Sequence, residues 1–159
     1  MRSDEKFPLN LLSLWSMMFD VKPLSETDYD DILVDWWKDW GWAAPPKSFL
    51  PENATGGFMV YDEDIPVCAG FIYRTNSEVC WVDWIISNKN YRKKPNRQMA
   101  IELLINTLTK ICKMNGASIA YALIKHRGLV DVYKKLGYIE GDSYSSEMIK
   151  NYNMAVAQH

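Results

Sequence analysis

The chain has 159 residues, room for one compact domain at about one domain per 100–200 residues. Hydrophobic residues are 48% and charged residues 24%, a globular balance that excludes an intrinsically disordered chain. The formal net charge is −2 and the pI about 5.7, so nucleic acid held by bulk positive charge is not an expected partner.

No run of about 18 apolar residues occurs, so no membrane span is expected. Asp4 and Glu5 sit beside Arg2 and Lys6, and Asp20 follows Phe19. An export signal instead has a basic start and a small-residue cleavage site, so a cytoplasmic location is expected. Cys68, Cys80 and Cys112 are odd in number and far apart, without CxxC spacing. Buried, reduced thiols are expected rather than disulfides or a zinc site. With only His126 and His159 present, no histidine-based metal site is expected.

Residues 1–15 read as an N-terminal extension, 16–150 as the domain and 151–159 as a polar tail. Residues 16–24 form the first expected strand. Ser25 and Asp28 have capping-box spacing. Tyr29, Ile32, Leu33, Trp36, Trp37 and Trp40 recur at helical intervals, and Gly41 takes the C′ position. Residues 43–57 read as a long loop. Residues 58–61, 67–73 and 79–86 form three strands of an antiparallel meander, the third apolar enough for burial on both faces. Residues 87–97 are basic, with Lys89, Arg92, Lys93, Lys94 and Arg97 and no acid. A second amphipathic helix is predicted over 98–114. A strand over 117–124, a short helix over 128–136 stopped by Gly137, and a last strand from Tyr138 to Ile149 complete a mixed α/β domain.

The segment Tyr133-Lys134-Lys135-Leu136-Gly137-Tyr138 resembles the Y-x-K-x-G-[FY] signature of the GCN5-related N-acetyltransferase (GNAT) superfamily. The buried strand, basic turn and long helix upstream also resemble its acetyl-CoA-binding motif. The likeness spans residues 16–150. It implies a GNAT-like fold: a central, mostly antiparallel, splayed sheet flanked by helices. It also implies an N-acetyltransferase that moves acetyl from acetyl-CoA to a primary amine in a ternary complex. The acceptor is a small molecule or a protein or peptide amine, and a homodimer is within the family's habits. The alternative is a GNAT-fold module that binds acyl-CoA or a protein and no longer catalyses.

The family's pyrophosphate loop, [RQ]-x-x-G-x-[GA], is degenerate here. Its place is taken by Pro95-Asn96-Arg97-Gln98-Met99-Ala100, where only Ala100 conforms. Glycines serve that loop because backbone N–H groups must approach phosphate closely, and Pro95 has no N–H. Side-chain charge from Arg92, Lys93, Lys94 and Arg97 is the expected substitute, with a solvated charge run as the bland reading.

Under the resemblance, Tyr133 is the acid that protonates the leaving thiolate. Gln98, and Ile85 and Ile86 through the backbone, contact the cofactor. His126 either bonds the cofactor arm or caps a strand or helix. Asp83 is the acid of the central strand, open to a role as the amine's base or to a structural one. Trp36, Trp37 and Trp40 fit the helix's core stripe. Trp42 falls outside it and is a candidate wall of the acceptor pocket. Asp35 and Asp39 either attract a cationic amine or form a solvated face.

Overall fold

The computed structural model describes residues 14–93 and 95–153. Residues 14–18 are helical rather than extended. Phe19 N–H closes this turn on Trp15 O at 2.9 Å, so the first strand, β1, is only Asp20–Pro23. The first helix opens with a π-type turn over Tyr29–Leu33 and continues as α1, Val34–Asp39. Half of the expected capping box is made: Ser25 N–H donates to Asp28 Oδ2 at 2.7 Å. Gly41 adopts φ 80°, with Gly41 N–H on Lys38 O and Trp42 N–H on Trp37 O, the paired bonds of a Schellman stop. Leu33, Trp36 and Trp37 are buried from this helix, but Trp40 is only half-buried.

Strands β2 (Gly57–Asp62), β3 (Ile65–Arg74) and β4 (Val79–Ser87) form the expected antiparallel meander. Helix α2, Asn96–Met114, follows, then β5, Ile119–Tyr121, and helix α3, Arg127–Lys135. The sheet order is β1-β2-β3-β4-β5, antiparallel except for the parallel β4–β5 pair. Two cores flank it. Val60, Val67, Cys68, Val82, Leu104, Leu108 and Tyr133 belong to the α2–α3 side. Leu33, Trp36, Trp37, Met59, Phe71 and Ile86 belong to the α1 side. Cys68, Cys80 and Cys112 are buried and free. Burial, with Cys80 alongside, pushes the Cys112 thiol up to about 12. No helix among the described residues is long and apolar enough to cross a membrane.

Two expected strands are corrected. The one over 117–124 pairs for three residues only, and the one from Tyr138 to Ile149 is absent. Ladder pairing stops after Tyr121, and residues 138–149 form no ladder with the free edge of β5, although Tyr144 comes to lie beside Tyr121. Ile139, Tyr144 and Met148 stand exposed along that segment. The third strand is also not buried on both faces throughout: Trp81, Asp83, Trp84 and Ile85 are half-buried.

The strand is also interrupted by a bulge. Phe71 pairs with Asp83 and Ala69 with Ile86, so Trp84 and Ile85 together oppose Gly70. Trp84 takes φ 56°, the left-handed conformation of a bulge's first residue. The bulge sends Trp84 to the α1 side and Ile85 to the α2 side. A Cβ on Gly70 would lie 2.5 Å from Ile85 Cδ1 and 2.9 Å from Leu108 Cδ1. Gly70→Ala is therefore expected to cost about 1–3 kcal/mol through overpacking, read as a lower urea midpoint. An unchanged midpoint would mean that the bulge yields freely.

Candidate active site

Parallel pairing of β4 with β5 ends at Trp81 opposite Tyr121. Beyond this point side chains replace the strand ladder. Leu123 N–H donates to Asp83 Oδ2 at 3.2 Å, and Trp84 N–H to Asp83 Oδ1 at 2.9 Å. Tyr133 donates its hydroxyl proton to Val82 O at 2.7 Å. At the far end of β4, Trp40 Nε1–H donates to Ser87 O at 2.8 Å. Trp40 stacks on Trp42 at 5.6 Å, and Trp42 on His126 at 4.8 Å. A run of three rings thus joins the end of β4 to the segment that leaves β5, where paired strands would sit about 4.8 Å apart. The two strands are parted, with Asp83 and Tyr133 at the apex.

Asp83 lies against apolar neighbours. Burial raises its carboxyl above the ordinary carboxylate range, and the amides of Trp84 and Leu123 offset part of that rise. Tyr133 is 2% exposed. Its phenol is raised well above the ordinary value by burial first, then by Asp83 and Tyr138, so it keeps its proton and can only donate.

The basic turn borders an open cavity of about 350 Å³ lined by Trp40, Lys89, Arg92, Lys93 and Arg97. Trp40 is thus part of its wall, not simply core. Lys89 Nζ lies 5.2 Å from the Trp40 ring centroid and the Arg97 guanidinium carbon 5.6 Å. Arg97 Nη1 donates to Asn88 O at 3.3 Å, which fixes the guanidinium against the turn. Lys93 is partly neutralised by Asp62 at 3.6 Å, and Tyr91 donates to the same carboxylate at 2.7 Å. Lys94 lies outside the described residues. The positive charge and the aromatic wall suit a phosphate-bearing nucleotide.

The other sequence candidates separate. Gln98 turns away and donates to Glu102 at 3.1 Å, a buried carboxylate that also holds Lys135 at 3.0 Å. Ile85 and Ile86 lie on β4 within the parted stretch. His126 is the N-cap residue of α3, makes no side-chain cap bond, and instead stacks on Trp42. Asp35 and Asp39 are exposed on α1. Sequence reading missed Trp40 as a cavity wall and the ring run itself. The Gly41 stop, which brings the Trp42 N–H back to Trp37 O and its ring onto Trp40, was the available signal.

The fold that these features define is the GNAT fold, a mixed sheet splayed between β4 and β5 with a cationic cavity at the wide end. No protein-family model and no curated protein sequence matches the chain. Solved structures do. An aminoglycoside acetyltransferase, meta-AAC0020, from an uncultured soil metagenomic sample, is similar at TM-score 0.58 and 12% identity, over 84% of this chain and 98% of its own. AAC(6')-Iy, solved with a CoA-linked bisubstrate analogue, is similar at TM-score 0.59 and 12% identity, over 84% and 99%. An acetyltransferase of Trypanosoma brucei gives 0.55 and 13%, over 82% and 99%.

Proposed function

We propose that the chain is an N-acetyltransferase that moves acetyl from acetyl-CoA to a primary amine by direct transfer in a ternary complex. One observation carries this reading: a sheet that parts at a carboxylate and a tyrosine, and whose wide end meets a cavity lined by four cations. The diphosphate is held by Lys89, Arg92 and Arg97, with Lys93 contributing less because of Asp62. The pantetheine amides take up backbone groups of β4 between Val82 and Ser87, the two carbonyls already capped by Tyr133 and Trp40. Groups freed by strand parting need such partners.

In the transfer itself the amine, its ammonium proton already lost to solvent, bonds the thioester carbon through nitrogen and the carbon–sulfur bond breaks. The nitrogen's proton passes to Asp83, and the departing thiolate takes one from Tyr133. The thioester is already activated, so no covalent enzyme intermediate is required. Support also comes from the fold's likeness to acetyltransferases, one of them solved with a CoA-linked analogue.

A second reading, a CoA-binding module without turnover, is favoured by the engagement of the Tyr133 hydroxyl with Val82 O. Calorimetry with acetyl-CoA followed by thiol release over an amine panel separates the two. Binding with amine-dependent thiol release is the expected result. Binding without release supports the module, and no binding removes both.

A further inference from the structure

Beyond the cover of α1, the α1-side face of the sheet around Asp83 is built of rings. Tyr73 pairs in register with Trp81, and Trp81 meets Tyr121 edge-on at 4.6 Å. On the other side of Asp83, Trp84 packs edge-on against Phe49 at 5.9 Å. Tyr73 fastens this wall by donating its hydroxyl proton to Phe49 O at 3.0 Å. These rings are open to solvent in part: Phe49 is 45% exposed, and Tyr73, Trp81, Trp84 and Tyr121 are half-buried. Leu123, 51% exposed, flanks them across the parting.

Charge on this face is scarce. Asp83 is the only acid in β3, β4 and β5. Among the acids of the first helix, Asp31, Asp35 and Asp39 are exposed to solvent, and Asp30 is paired with Lys47 at 3.0 Å. The strands of the wall thus offer one anion and several ring faces.

We infer that the acceptor is an arylalkylamine, a single primary amine on a short chain from an aromatic ring, its ammonium drawn to Asp83 and its ring laid against Phe49 and Trp84. This rests on the acetyltransferase reading above and specifies its substrate. One ammonium finds one carboxylate, and an aromatic body finds edge and face contacts. A polyamine or aminoglycoside brings further ammoniums that must shed water without an opposing anion. A ring face returns less than that desolvation costs.

The test uses the full chain, acetyl-CoA and 2-phenylethylamine, with n-butylamine, spermidine and kanamycin as comparators. Thiol release gives kcat/KM for each. The expected result is a value for 2-phenylethylamine at least about tenfold above each comparator, the worth of one well-packed ring. Phe49→Ala, at an exposed position outside both cores, should raise the KM for 2-phenylethylamine about three- to tenfold and shrink its advantage over n-butylamine. Parity between 2-phenylethylamine and n-butylamine, or an unchanged KM in Phe49→Ala, overturns the aromatic wall. Preference for spermidine or kanamycin overturns the substrate class and leaves acetyl transfer standing. Thiol release with none of the amines overturns the acetyltransferase reading, and this inference with it.

Discussion

Tyr133→Phe is expected to lower turnover by about 10²- to 10⁴-fold, the usual reach of a positioned general acid, while the chain stays folded. The hydroxyl lies at the apex of the parted strands on Val82 O, one residue from Asp83. Its raised phenol stays protonated throughout the working pH range, so it is a donor and never a base. The ring meets Tyr138 edge-on at 4.8 Å, and phenylalanine preserves that packing. What is lost structurally is one donor to a buried carbonyl, about 1–3 kcal/mol. Thiol release at saturating substrates reads the first effect and urea denaturation the second. Unaltered turnover in a folded variant would leave the hydroxyl a backbone partner only.

Asp83 adds a pH dependence to the same experiment. Its carboxyl titrates above the ordinary carboxylate range because of burial. On the acid side of that raised value it is protonated, and under the proposed role the rate is expected to fall there; a pH–rate profile without that acid limb would remove Asp83 as the base. Stability runs in the opposite sense. The folded chain holds this proton more tightly than the unfolded one. The contribution is therefore fully present below the ordinary carboxylate pKa and lost as pH rises through the raised one.

Replacing Lys89, Arg92 and Arg97 together with Ala is expected to weaken acetyl-CoA binding by about 10²- to 10³-fold. Hydrogen bonds to charged groups are worth about 1.5–3 kcal/mol each when shielded, and solvent at this open cavity reduces that by about half. The three cations line one cavity against Trp40. Lys93 is left in place because Asp62 already draws on its charge. The parent's dissociation constant should rise with added salt and the variant's should barely move. A variant that binds as the parent does would show these charges to be solvated and idle.

The sequence carried the local part of this structure. Spacing of three and four residues places Leu33, Trp36 and Trp37 on one buried face and sets α2 within two residues of its predicted start. Gly41 and Gly137 mark helix stops because each adopts a positive φ, at 80° and 102°. The YKKLGY segment pointed to the fold and to Tyr133. The strand expected from Tyr138 to Ile149 does not form: the segment reaches β5 through side chains, with Tyr144 beside Tyr121, and pairs no backbone with its edge.

By itself, then, the sequence determined the order of elements as far as α3, the two helical faces, the antiparallel meander and the concentration of cations before α2. Periodicity and glycine conformation are properties of neighbours along the chain, and they are legible there. Only the tertiary structure decided that Trp84 bulges opposite Gly70, that Asp83 reaches Leu123 forty residues on, that Asp62 tempers Lys93, and that Trp40, Trp42 and His126 stack. Each of these depends on which distant segments come into contact, and hydrophobic patterning assigns a residue to a face without naming the residue it will meet.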